Sequence, residues 1–112
     1  MDFSAEIARF VTEAIGGIYV VDENTRLIAY ADPFVERLYG AHLAGQPARD
    51  VFPWEARSTH APLVRGEAAE WECVDRERRI YWRLHHGLFD KDGVVYKIGQ
   101  LTNTTEFMLL SQ

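Results

Sequence analysis

Residues 79–103 read RIYWRLHHGLFDKDGVVYKIGQLTN, and this stretch decides the fold. Two runs rich in β-branched and aromatic residues, 79–89 and 94–102, flank the polar segment Asp90–Gly93. An Asp-Gly pair between two β-forming runs is typical of a hairpin turn. The stretch therefore predicts two long antiparallel strands.

Working outward, the same reasoning predicts three more strands and several short helices. Strands are expected near 17–22, 27–31 and 69–75, each bounded by glycine or acidic turn residues. Helices are expected over 3–14, 33–39, 58–66 and from 104 onward, with short helical turns within 41–57. Strands and helices in this order predict an α+β fold with an antiparallel sheet and the helices grouped to one side.

Two of the helices carry clear local signals. Asp32 precedes Pro33, and the pair is typical of an N-cap followed by the first helical position. In 3–14 the apolar residues recur at helical spacing, which predicts an amphipathic helix with one buried stripe; these residues are Phe3, Ile7, Phe10, Val11 and Ala14.

Composition narrows the function classes. The 112 residues are 47% hydrophobic and 26% charged, which is ordinary for one globular domain. Twelve Lys and Arg against 17 Asp and Glu give a net charge of −5, which disfavours nucleic acid and anionic membranes as partners. No apolar run approaches the roughly 18 residues of a membrane span. The single Cys73 cannot form an internal disulfide. We expect a cytoplasmic domain with no nucleic-acid or membrane contact.

The order of these segments resembles the PAS domain, the sensory module of bacterial signalling proteins. The resemblance spans almost the whole chain and rests on five segments: Gly17–Asp22, Leu27–Phe34, Leu38–Gly45, Asp90–Gly93 and Asn103–Glu106. The sequence departs from the family pattern at two positions. Asp32 stands where the family usually has Asn, and Asn103 stands where the exit motif usually has Asp. Both replacements keep a side chain that can cap a helix.

The resemblance implies a single PAS domain over 1–112, with a five-stranded antiparallel sheet and short helices on one face. Residues 1–16 would form an N-terminal cap helix, 17–103 the core, and 104–112 the start of an exit helix. Such a domain would regulate a histidine kinase, a diguanylate cyclase or a transcription regulator. It would bind a small ligand or a partner and pass the signal to an effector domain through Asn103, Thr104, Thr105 and Glu106. A homodimer through the N-terminal helix and the outer sheet face is expected.

The strand 79–89 alternates between an apolar and a polar face. Counting back from Gly93 by the family's usual spacing places Tyr81, Arg83 and His85 toward the ligand cavity, and Trp82 and Leu84 toward the N-terminal helix. With Asp32, these three residues predict a polar wall that suits a small anion such as a carboxylate. Two alternatives stay open for Arg83: pairing with Asp32 or Glu70 inside the domain, or a position at a sheet edge in contact with water.

The sequence also bears on cofactors, metals and enzyme activity. Heme-binding PAS domains carry a proximal His near the position of His60, but Pro62 interrupts that helix. No cofactor is therefore expected, and the alternatives are heme bound by His60 or a flavin. No metal site is predicted, because His85 and His86 point to opposite faces of one strand. No nucleophile–base pattern is present, and an enzyme is not expected. The alternative is a small ketosteroid-isomerase-like enzyme using Asp32, Tyr81 and His85 as acid–base groups.

Overall fold

The computed structural model describes residues 1–10, 17–56 and 68–110. The elements in chain order are α1 (Ser4–Phe10), β1 (Gly17–Asp22), β2 (Ile28–Ala31), α2 (Pro33–Tyr39), α3 (Ala48–Val51), a 3-10 helix (Pro53–Ala56), β3 (Ala68–Asp75), β4 (Ile80–Lys91), β5 (Val94–Asn103) and α4 (Thr105–Leu110). The predicted α+β architecture with five strands is confirmed, and each strand lies within two residues of its predicted bounds. The predicted helix 58–66 and the end of the predicted helix 3–14 lie outside the described residues.

The five strands form one antiparallel sheet in the order β2-β1-β5-β4-β3. The last strand in sequence, β5, therefore lies in the middle and pairs with β1 on one side and β4 on the other. Its register with β1 joins Gly17 to Leu101, and its register with β4 joins Leu84 to Leu101. Residues opposite one another share a face, so this register fixes which side chains meet the helices.

One sheet face, called the inner face here, is covered by α2, α3 and the 3-10 helix. Its core is a continuous cluster of buried side chains from strands and helices, including Tyr19, Val35, Phe52, Trp82 and Leu84. Tyr19 and Phe52 stack with ring centroids 4.3 Å apart. The short helices are held by this burial, since helices of four to seven residues are unstable alone.

The opposite, outer face is covered by α1. Phe3 is 3% exposed and packs with buried Ile18, Val20, Tyr96 and Ile98. The Lys91 ammonium bonds the Glu6 carboxylate of α1 at 2.9 Å, which ties the helix to the end of β4. The prediction that an N-terminal helix covers the outer face is confirmed for Phe3, Ile7, Phe10 and Ile98.

The predicted faces of β4 were reversed. Trp82 and Leu84 belong to the inner core, and the outer-face cluster does not include them. Tyr81, Arg83 and His85 alternate with them and so lie on the outer face; the His85 ring sits 4.6 Å from that of Phe10 in α1. Side chains alternate between the two faces of a strand, so an error of one residue in the count from Gly93 assigns every side chain of β4 to the wrong face. Hydrophobicity does not reveal the error, because both faces of the sheet are covered.

Gly99 makes room for a buried tyrosine. A Cβ at this position would lie 2.8 Å from Tyr19 Cζ and 2.9 Å from Leu84 Cδ1. We expect Gly99→Ala to lower the free energy of unfolding by about 1–3 kcal/mol, because both neighbours are fully buried and have no space to move. Urea unfolding measures the change. Gly45→Ala is a comparison without steric conflict, since nothing lies within 4 Å of its Cβ, although its φ of +92° adds strain.

No helix in the described parts of the chain is both long enough and apolar enough to cross a membrane.

Candidate functional site

The four predicted ligand-binding residues do not form one site. Asp32 lies at the end of β2, where its Oδ1 accepts a hydrogen bond from Val35 N at 2.9 Å and its Oδ2 accepts one from Ile18 N at 2.8 Å. It therefore caps α2, as predicted, and also ties β2 to β1. Because Tyr81 and His85 lie on the outer face, the acid–base set of the alternative enzyme reading is not assembled either.

Arg83 lies beside the edge strand β3 and is 43% exposed. Its guanidinium approaches Glu70 at 3.9 Å and Glu72 at 3.7 Å, both of which are largely exposed. Of the alternatives for Arg83, the structure gives a position toward the sheet edge, with Glu70 as one of two loose partners. Ion pairs this open contribute little to stability.

The candidate cofactor and metal ligands were compared with the described residues. His60 lies outside them. No group of three or more metal-ligating side chains occurs in residues 1–10, 17–56 and 68–110. Cys73 is buried in β3, and burial raises its pKa to about 12, so its thiolate is scarce near neutral pH.

A buried charge cluster on the inner face was missed from the sequence. The Glu55 carboxylate, in the 3-10 helix, binds the Lys97 ammonium of β5, and the two residues are 4% and 3% exposed. Tyr19 Oη donates to Glu55 at 2.6 Å, and Arg26 Nη2 donates to it at 3.0 Å. Trp54 Nε1 in turn donates to Tyr19 Oη at 3.0 Å. We call these five residues the inner charge cluster.

The charges and hydrogen bonds within the cluster compensate one another. Burial by itself would raise the pKa of Glu55, but the Lys97 charge and the hydrogen bonds outweigh it, and the pKa is lowered. Burial and the adjacent Glu55 charge raise the pKa of Tyr19 well above its ordinary value, so the phenol stays protonated and donates. The cluster thus fastens the helical layer to the central strand. The available signal was Lys97 itself, a charge at an inward position of β5 beside Gly99 and Leu101.

The predicted exit segment forms a junction between β5 and α4. Thr104 N donates to Tyr81 O at 2.8 Å, and Tyr81 N donates to Thr105 Oγ1 at 2.9 Å. Asn103 Oδ1 accepts from Thr105 N at 3.0 Å, so the asparagine supplies the capping contact expected there. The start of α4 is therefore fixed to the backbone of β4, while Glu106 faces solvent.

Helix α4 carries large apolar side chains on its surface. Phe107, Leu109 and Leu110 are 65%, 59% and 80% exposed. Three large exposed apolar side chains on one short helix are a candidate interaction surface.

A scan against protein-family models found no match, and a search of curated proteins found none either.

Proposed function

We propose that this chain is a PAS-type sensory or regulatory domain that passes a change on its inner face to an effector domain through α4. Binding of a small ligand or a partner would alter the contact between the helical layer and the sheet. The effector would be a histidine kinase, a diguanylate cyclase or a transcription regulator, and the working form a homodimer.

One observation carries the proposal. Strand β5 holds Lys97 of the inner charge cluster and, six residues later, ends in the junction that begins α4. A shift of Glu55 against the sheet would therefore act on the same strand that positions α4. The exposed apolar residues of α4 give the output a surface on which to act.

A ligand acts on such a system only by binding two states with different affinity. The inner charge cluster offers a way for two such states to differ, because the buried Glu55–Lys97 ion pair joins the helical layer to β5. A state in which that pair loosens would leave two buried charges unpaired, which is costly, so it is expected to be rare until a ligand or partner stabilises it.

The test uses Tyr19→Phe, which removes the hydroxyl between Glu55 and Trp54 but keeps the ring. We expect the backbone amides of α4 to exchange hydrogen at least about fivefold faster, measured relative to those of β2, because the loosened cluster relaxes the β5–α4 junction.

The matched control is Tyr96→Phe, a tyrosine on the outer face of β5. It should leave the ratio of α4 to β2 exchange unchanged. Equal acceleration of all elements in Tyr19→Phe, or no difference from Tyr96→Phe, would contradict coupling between the inner face and α4.

A further inference from the structure

A second, separate feature lies on the outer face. Between α1 and strands β4 and β5 there is a cavity of about 460 Å³, within the usual range of small-molecule sites. It is independent of the proposed signalling path, because the inner charge cluster lies on the other side of the sheet.

The cavity exists because of small residues in one row across the sheet. Ala68 of β3 pairs with Gly87 of β4, and Gly87 pairs with Ile98 of β5. Two neighbouring positions therefore carry little or no side chain, and a trough remains under α1. Phe10 and Phe89 line the cavity with Ile98, so its surface is mainly apolar.

The polar side chains at the cavity differ in how many of their hydrogen-bonding atoms already have partners. The Glu6 carboxylate binds Lys91 through Oε1 at 2.9 Å and Arg9 through Oε2 at 3.3 Å. Arg9 is 77% exposed, and its Nη1 has no hydrogen-bond partner among the described residues. The Glu6 carboxylate is thus occupied, while Arg9 keeps Nη1 donors to spare.

His85 is a further polar residue in the cavity lining. Its ring lies against Phe10, and no described residue makes a hydrogen bond to its Nδ1; the nearest carboxylate oxygen, on Glu70, is 3.9 Å away. Helix α1 starts at the hairpin end, where Phe3 meets Tyr96. Arg9 and His85 therefore mark the end of the cavity away from Asp90.

We propose that this cavity binds a small molecule with a flat apolar body and one carboxylate. The body would lie over Gly87 and Ile98 between the two phenylalanines. The carboxylate would face Arg9 and accept from its Nη1, with His85 also in the lining and Asp90 at the far end.

The test is an NMR titration of the full chain with 2-naphthoate, with 2-naphthamide as the uncharged counterpart. We expect the largest amide shifts at Arg9, His85 and Gly87, and a Kd of about 1 mM or lower for the acid. Arg9→Met should weaken naphthoate binding about fivefold and leave naphthamide binding unchanged. Arg49→Met, at an exposed arginine of α3, is the matched control and should bind like the wild type.

A second variant tests the cavity itself. Ala68→Leu adds bulk at its exposed rim and should abolish binding of both probes while the melting temperature stays near that of the wild type. The proposal is overturned if 2-naphthoate causes no shifts at about 1 mM, if the shifts lie on the inner face, or if Arg9→Met binds naphthoate as tightly as Arg49→Met does.

Discussion

Replacing Lys97 by Met is expected to lower the free energy of unfolding by about 3–5 kcal/mol. The substitution keeps most of the side-chain volume, so the loss is electrostatic. It leaves the Glu55 carboxylate buried at 4% exposure without its main counter-charge. Arg26 and Tyr19 still donate to that carboxylate, but the Arg26 guanidinium reaches it from a partly exposed position. Urea unfolding at neutral pH gives the value.

The deficit should shrink in acid. In the wild type the pKa of Glu55 is lowered, so its contribution to stability is present above the ordinary Glu pKa and is lost as pH falls through the lowered value. In Lys97→Met the isolated carboxylate can take up a proton at a higher pH, which relieves the penalty. The two unfolding free energies should therefore approach each other below about pH 4.

Two variants separate this explanation from general damage. Lys91→Met removes an ion pair at the outer face, where the lysine is 24% exposed, and should lower the free energy of unfolding far less than Lys97→Met does. Glu55→Gln combined with Lys97→Met removes the orphaned charge and should recover part of the loss. A double variant as unstable as Lys97→Met alone would contradict the electrostatic account.

Phe3→Ala is expected to cost about 3 kcal/mol, at the lower end of the usual range for a buried Phe. Its ring packs against Tyr96 with centroids 5.0 Å apart and against Phe89 at 6.1 Å. The lower end applies because the loss cannot exceed what the docking of α1 contributes. Thermal or urea unfolding measures the effect.

Phe10→Ala, at the last residue of α1, is the comparison. Phe10 is only partly buried, so its truncation should cost roughly 1 kcal/mol. A larger loss at Phe10 than at Phe3 would show that α1 is held mainly by its second half, against the contacts described above.

The strands could be predicted closely because their signals are local. The Asp92-Gly93 turn, where both residues adopt positive φ, fixes the long hairpin, and the Asp32-Pro33 pair fixes the start of α2. Each depends on a few adjacent residues, so no tertiary information is needed.

The faces and the site could not be predicted in the same way. Which side of β4 meets the helices depends on its pairing with β5, and alternation alone fits either choice. The inner charge cluster joins residues 36 and 42 positions apart in sequence, Tyr19 and Lys97 with Glu55. Nothing local to Glu55 shows that a lysine of a distant strand will neutralise it.

The central position of β5 has a consequence for synthesis on the ribosome. Strand β1 is made early, but its partner is completed only when Leu101 emerges, and β4 waits for the same strand. Until then β1–β2 and β3–β4 are two separate ribbons, each with an open edge, and isolated ribbons of this kind are at best marginally stable. The nascent chain should thus remain protease-sensitive until β5 has emerged and then become resistant in a single step, with the strand edges exposed to aggregation in the meantime.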